Sequence, residues 1–238
     1  MKSINRIVVG VLLGIMSLCC LGLGMKIAIL QVNDTTKNIA QIKKLPELNA
    51  TTFQQTPVNK TVGLTGILTG PNGETQSNGL VIYERKEWDV SVSTSHTGSG
   101  RNRRTTREIE GNWDYLGTVM INCALAVPGG NIPLKSTNAM RLEEPLHEIE
   151  EYTATSGESD EGIVDGTIRQ EGFRAGDNIT VIGVKTADGV QPKQIFGGTR
   201  AEYISYLEGQ INYYRVTGGM LIVFGTILLI VAGLTIFL

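Results

Sequence analysis

The feature that most constrains this chain is a run of 23 uncharged residues at its C-terminal end, Val216 to Leu238 (VTGGMLIVFGTILLIVAGLTIFL). A helix rises about 1.5 Å per residue, so roughly 20 such residues cross a hydrocarbon core about 30 Å thick. Within lipid only helices and closed barrels satisfy their own backbone, so this run is expected to be a transmembrane helix. Its glycines, Gly218, Gly219, Gly225 and Gly233, are costly in a water-exposed helix but frequent in membrane spans, where small residues permit close helix packing. Tyr213, Tyr214 and Arg215 stand just before the run as an interfacial belt.

The N-terminal end repeats the theme. Lys2 and Arg6 precede 18 uncharged residues, Ile7 to Gly24, and the apolar pattern continues past Lys26 to Leu30. A basic start before an apolar run also marks a signal peptide, but no Ala-x-Ala site follows, so an uncleaved span is favoured. Lys2 and Arg6 argue for a cytoplasmic N-terminus and an outward-facing middle; Lys26, Lys37, Lys43 and Lys44 argue the reverse. The reading adopted places the middle segment outside a plasma or inner membrane.

Between the ends lies a segment with ordinary globular composition. Residues 31–60 are polar, with Ile39, Ile42 and Leu45 at helical spacing before Pro46, which predicts a short amphipathic helix and then an extended Thr/Gln/Asn linker. From Thr61 the pattern changes to alternation. Strands are expected at Thr61–Thr69, Leu80–Ser95 (Trp88, Val90 and Val92 on one face) and Trp113–Pro128, with turns at Pro71-Asn72-Gly73 and Gly129-Gly130-Asn131. The polar stretch Ser93–Arg107 reads as a long hairpin loop or a partly disordered tip, and an acidic stretch after Leu142 as another loop. Gly162–Gln170 and Asn178–Lys185 are expected to pair around Ala175-Gly176-Asp177, with a further hairpin at Ala187-Asp188-Gly189. Thr199–Tyr214 is expected to be a helix capped by Thr199 that runs into the second span. The fold class is therefore an integral membrane protein: two transmembrane helices (1–30 and 216–238) flanking a linker (31–60) and a β-rich, α+β globular domain (61–215).

Chemistry-bearing motifs are sparse. Cys19 and Cys20 lie in the first apolar run and leave Cys123 alone in the domain, which gives no intradomain disulfide and no cysteine-based zinc site. His96 and His147 have no partner at ligand spacing, so neither a metal nor a cofactor is expected. Asn-x-Ser/Thr triplets at Asn33, Asn49, Asn59 and Asn178 occur at a frequency that chance accounts for. No nucleophile elbow, phosphate-binding loop or dinucleotide fingerprint is present, so no catalytic residue is assigned. A formal net charge of −2 gives no sign of nucleic-acid binding. Two charge clusters remain. Arg101, Arg103, Arg104 and Arg107 form a basic group that reads as a solvated loop tip or as a contact for anionic headgroups or a partner. Glu143, Glu144, Glu148, Glu150, Glu151, Glu158, Asp160 and Glu161 can pair with that group or be solvated, and lack the pattern of a calcium loop.

The stretch Gly172–Leu229 resembles the end of the beside-a-membrane (GIDE) domain of the mitochondrial membrane-anchored E3 ubiquitin ligases. There a Gly-Asp/Glu turn leads to a β-hairpin, a short helix and a second span. Gly176-Asp177, the strand Ile179–Gly183 and the helix Glu202–Gln210 stand in those places here, and Leu64-x-Gly66 and Val81-x-Tyr83-Glu84 agree more loosely. The ligases carry a zinc-binding RING after the second span. This sequence has none, so the resemblance implies a RING-less, prokaryotic relative without ubiquitin transfer. It implies a non-enzymatic domain for docking a protein partner or lipid, with homo-oligomerisation possible. The alternative expectations are a membrane-perturbing effector acting through oligomerised spans and, at lower weight, a tethered hydrolase.

Overall fold

A computed structural model describes residues 2–70, 79–97, 104–137 and 140–237. The chain divides into two compact units, Met1–Leu45 with Ala201–Leu238, and Pro46–Arg200. The expected turn at Pro71-Asn72-Gly73 lies outside the described residues.

The first unit is helical. Helix α1 (Lys2–Met25), a π-helical segment (Lys26–Gln31) and α2 (Val32–Lys44) follow one another without a break. The other long helix, α4 (Arg200–Phe237), runs 38 residues. Each is long and apolar enough to cross a membrane, and only 17% and 11% of their most apolar stretches are buried. A core helix of a water-soluble protein would be mostly buried; here Leu18 and Met220 are 65% and 67% exposed. Beyond the apolar runs both helices continue. The 13 residues of α2 add about 20 Å at 1.5 Å per residue. On this part Val32, Ile39 and Ile42 are buried, as are Tyr203, Leu207 and Ile211, and Lys43 Nζ donates to Glu208 Oε1 across the two helices at 2.9 Å.

The second unit begins with α3 (Ala50–Gln55), held by a capping box in which the Asn49 side chain accepts from the Thr52 N–H and Thr52 returns a bond to the Asn49 N–H. This corrects the expected extended linker: Asn and Thr were present at capping spacing, and Phe53 gives the helix an apolar face that is buried. Among the described residues twelve strands follow: β1 (Thr61–Thr69), β2 (Leu80–Thr97), β3 (Arg104–Met120), β4 (Ala124–Val127), β5 (Gly130–Pro133), β6 (Arg141–Glu143), β7 (His147–Tyr152), β8 (Ser159–Asp160), β9 (Ile163–Val164), β10 (Ile168–Arg174), β11 (Asn178–Lys185) and β12 (Val190–Gly197). They form a six-stranded sheet in the order β5-β4-β1-β11-β12-β6, a four-stranded sheet in the order β3-β2-β10-β7, and the small pair β8-β9. Side chains from both larger sheets, among them Leu64, Leu68, Leu125, Ile179 and Ile195 from one and Val81, Ile82 and Phe173 from the other, make a single buried cluster with Phe53.

Three expectations about this unit change. The flanks of the polar stretch Ser93–Arg107 are strand, since β2 runs to Thr97 and β3 starts at Arg104 with Thr94 opposite Arg107; the expected loop tip, 98–103, lies outside the described residues. The Ser and Thr side chains of these flanks fit a pleated ribbon without any face being buried. The acidic stretch contains β6, β7 and β8 instead of one loop. The strands on either side of Ala175-Gly176-Asp177 do not pair with each other: β10 pairs with β2 and β7, and β11 with β1 and β12. The turn instead carries the chain from one sheet to the other, fixed by Gly176 N–H to Leu68 O and Leu68 N–H to Asp177 O, each 2.8 Å. The unit also starts earlier and ends sooner than the expected segment 61–215. Its compact bounds are Pro46 and Arg200.

Candidate functional site

The most distinctive element is the β2–β3 ribbon. Its base belongs to the four-stranded sheet, where β10 pairs with β2 as far as Glu87. At the next residue Trp88 is buried and stacks edge-on with its cross-strand partner Trp113, centroids 5.1 Å apart. The Arg169 guanidinium lies 4.1 Å over the Trp113 ring. The Trp88 ring occupies the space above Gly111, where an added Cβ would fall 2.2 Å from its Cζ2. Only glycine allows the indole to lie flat on the neighbouring strand.

Residues 158–167 then clasp the ribbon from both edges. On the β2 edge, Trp88 N–H donates to Thr167 O and Gly166 N–H to Trp88 O, and Val90 N–H donates to Asp165 Oδ1 at 2.9 Å. On the β3 edge, Gly111 N–H donates to Asp160 Oδ2 at 2.8 Å. Arg107 makes an ion pair with Glu158. The clasp ends at the Val90–Gly111 pair, apart from that ion pair. Beyond it Ser91–Ser95 and Thr105–Glu108 are all exposed, so an arm of seven residues per side on β2 extends about 23 Å at 3.3 Å per residue. Val92 remains 40% exposed opposite Ile109.

Two members of the basic cluster, Arg104 and Arg107, belong to this arm. Arg101 and Arg103 lie outside the described residues. Arg104 opens β3 and Arg107 lies within it, so neither is on a loop. The acidic cluster is drawn into the fold. Glu151 accepts from Arg85 through two bonds of 2.8 and 3.1 Å, Glu148 from Arg169 at 2.8 Å, and Glu143 pairs with Arg141 at 2.9 Å. The Arg85 hydrogen bond holds the Glu151 carboxyl below the usual range. Burial raises Glu143 and Glu84 instead.

Other candidate chemistry is accounted for by packing. Cys123 lines a cavity of about 550 Å³ with Asn122, Asn131 and Lys135, but burial pushes its thiol up to about 12, which keeps it a thiol at neutral pH. His147 Nε2 lies 3.2 Å from both oxygens of Asp177, whose Oδ2 also accepts the Arg174 N–H; the pair pins the turn between the sheets. Among the described residues no group of three or more His, Cys, Asp or Glu side chains is placed to hold a metal ion.

The four glycines of the second apolar run separate into two sets. A Cβ on Gly218 would meet Ala28 and the Gly24 carbonyl, and one on Gly225 would meet Leu21 at 2.9 Å. Ser17, fully buried, donates to the Gly225 carbonyl at 2.6 Å. Gly219 and Gly233 have open space around them. The contacts of Gly10 with Ala232 and Ile236 continue the seam, so Gly10, Ser17 and Gly24 face Gly218, Gly225 and Ala232, each set at intervals of seven. The clasp and the arm escaped the sequence reading because neither has an apolar periodicity of its own. Only the alternation at Trp88, Val90 and Val92 pointed to a strand there. No family model, curated protein or solved structure matches the chain, and nothing in these comparisons identifies the beside-a-membrane family.

Proposed function

We propose that this chain is a non-enzymatic, two-span membrane protein that presents its β-rich domain to a protein partner, as a scaffold or sensor. The observation that carries the reading is the arm beyond the clasp: two paired strands exposed on both faces, held in shape by their ladder and by the Trp88–Trp113 base. An element that buries so little contributes little to folding, whereas exposed strands with unpaired edges are a recurrent means of protein recognition. The exposed apolar surface of α1 and α4 supports placing both helices in a bilayer. The domain is then on the outer side of a prokaryotic plasma membrane. The kinship proposed with the beside-a-membrane family rests on Gly176-Asp177, the following hairpin and the helix that continues into the second span. The test is recovery of partners in mild detergent by the full chain and by a chain whose residues 91–110 are replaced with a two-residue turn. Loss of a specific partner is expected, and an unchanged set of recovered proteins would refute the reading.

A further inference from the structure

The two edges of the arm are not alike. Val90 and Gly111 form a pair whose N–H groups point away from the ribbon, to Asp165 and Asp160. The register is regular from there outward, so the backbone groups of Val92, Thr94 and His96 on β2 point outward too, as do those of Arg107 and Ile109 on β3. The β3 edge carries Arg104, Arg107, Glu108 and Glu110, the kind of charges that discourage strand addition. The β2 edge from Ser91 to Thr97 reads SVSTSHT. It has no Lys, Arg, Asp, Glu or Pro and no bulge, so it lacks the usual protection of a free edge. The clasp protects β2 only as far as Val90.

We propose that this edge is an interaction surface for a second copy of the chain, the two arms joining by antiparallel β2–β2 pairing centred on Thr94. The sequence is self-complementary in that register. Thr94 stands opposite Thr94, Ser93 opposite Ser95, and Val92 opposite His96; a Thr–Thr pair is a favourable cross-strand match and no like charges meet. Seven residues on each side fit between the clasp and the end of the described strand, and their outward-pointing residues supply three hydrogen-bonded pairs. A contact of this size is small for a stable dimer in dilute solution. The inference rests on the membrane-anchored reading, because two-span anchoring confines copies to one plane and raises their effective concentration.

The experiment is disulfide cross-linking of the full chain in membranes, with Cys19 and Cys20 replaced by Ala. Thr94→Cys is expected to give a cross-linked dimer on mild oxidation, about tenfold more than Thr106→Cys on the opposite strand. Adding Val92→Pro, which removes an outward N–H without touching the β2–β3 ladder, should abolish that dimer. Ile109→Pro, its cross-strand counterpart on the β3 edge, should leave it intact. Equal cross-linking at positions 94 and 106, survival of the dimer with Val92→Pro, or a Thr94→Cys adduct to a different protein in place of a dimer would each overturn the proposal. Partner recovery separates the two ideas: a Val92→Pro chain that loses the dimer but keeps the partner leaves docking in place, and a chain with the native Val92 that cross-links through Thr94→Cys but recovers no partner removes docking alone.

Discussion

Lys185 shows most clearly what one residue does in this fold. It is buried, 6% exposed, and its ammonium donates to the carbonyls of Phe53, Gln54 and Thr56 at 2.5, 2.8 and 2.5 Å. These are carbonyls at the C-terminal end of α3, where a helix leaves acceptors unsatisfied and its dipole is negative. The lysine lies 4.8 Å over the Phe53 ring, so the same side chain satisfies the helix end and covers its aromatic anchor. A six-residue helix has no stability of its own, and α3 depends on this contact. Lys185→Met should lower the unfolding free energy by about 2–4 kcal/mol, the range for losing charged hydrogen bonds at a buried site. Urea titration of the chain in detergent, followed by Trp88 and Trp113 fluorescence, measures it; an unchanged midpoint would show that α3 is held by other contacts.

At the scale of elements, the paired helices depend on an irregularity. The small residues Gly10, Ser17 and Gly24 recur every seven positions, whereas the next buried residues of the same helix, Val32 and Ile39, resume the period one residue late. The π-helical segment Lys26–Gln31 lies between them. A π turn takes up one extra residue, so it returns Val32 to the side on which Gly24 packs. A deletion of Ile29 should therefore convert the π turn to α and leave the seam aligned above and below. A deletion of Thr35 should turn Ile39 and Ile42 away by roughly 100° and expose them. Spin labels on residues 43 and 208 distinguish the two: their separation should stay near that of the parent with Ile29 deleted and lengthen with Thr35 deleted. The membrane-perturbing alternative shifts at this scale as well. Gly218 and Gly225 are already occupied within one chain, so contacts between chains through α4 would fall to Gly219 and Gly233.

For the whole molecule, sidedness follows from the proposed outward domain. Ser95 is exposed on the arm. The native cysteines are either in the apolar helix or, at Cys123, buried. A membrane-impermeant maleimide should therefore label Ser95→Cys in intact cells to the same extent as after lysis. Labelling only after lysis would place the domain on the inner side. Arm and anchor then have separate roles: the anchor concentrates copies in a plane, and the arm offers them an edge.

The sequence by itself determined two long apolar helices, the β-rich character of what lies between them and the positions of most turns. Each of these is set by local information: run length, period-two alternation, and Gly, Asn and Asp at turns. It also held the signs of α3, since Asn49 and Thr52 stand at capping spacing, but those read as linker because polar residues serve both purposes. Only the tertiary structure decided which strands are neighbours, that the Gly176-Asp177 turn links two sheets, and that Glu143, Glu148, Glu151 and Glu158 of the acidic cluster are matched by arginines. Pairing is a non-local choice among strands with similar patterns, and it is settled by the shared core around Leu68, Phe173 and Ile195. The division of the four glycines has the same origin. All four suggested close helix packing in the apolar run, and only the partner helix decides that Gly218 and Gly225 face the seam while Gly219 and Gly233 do not.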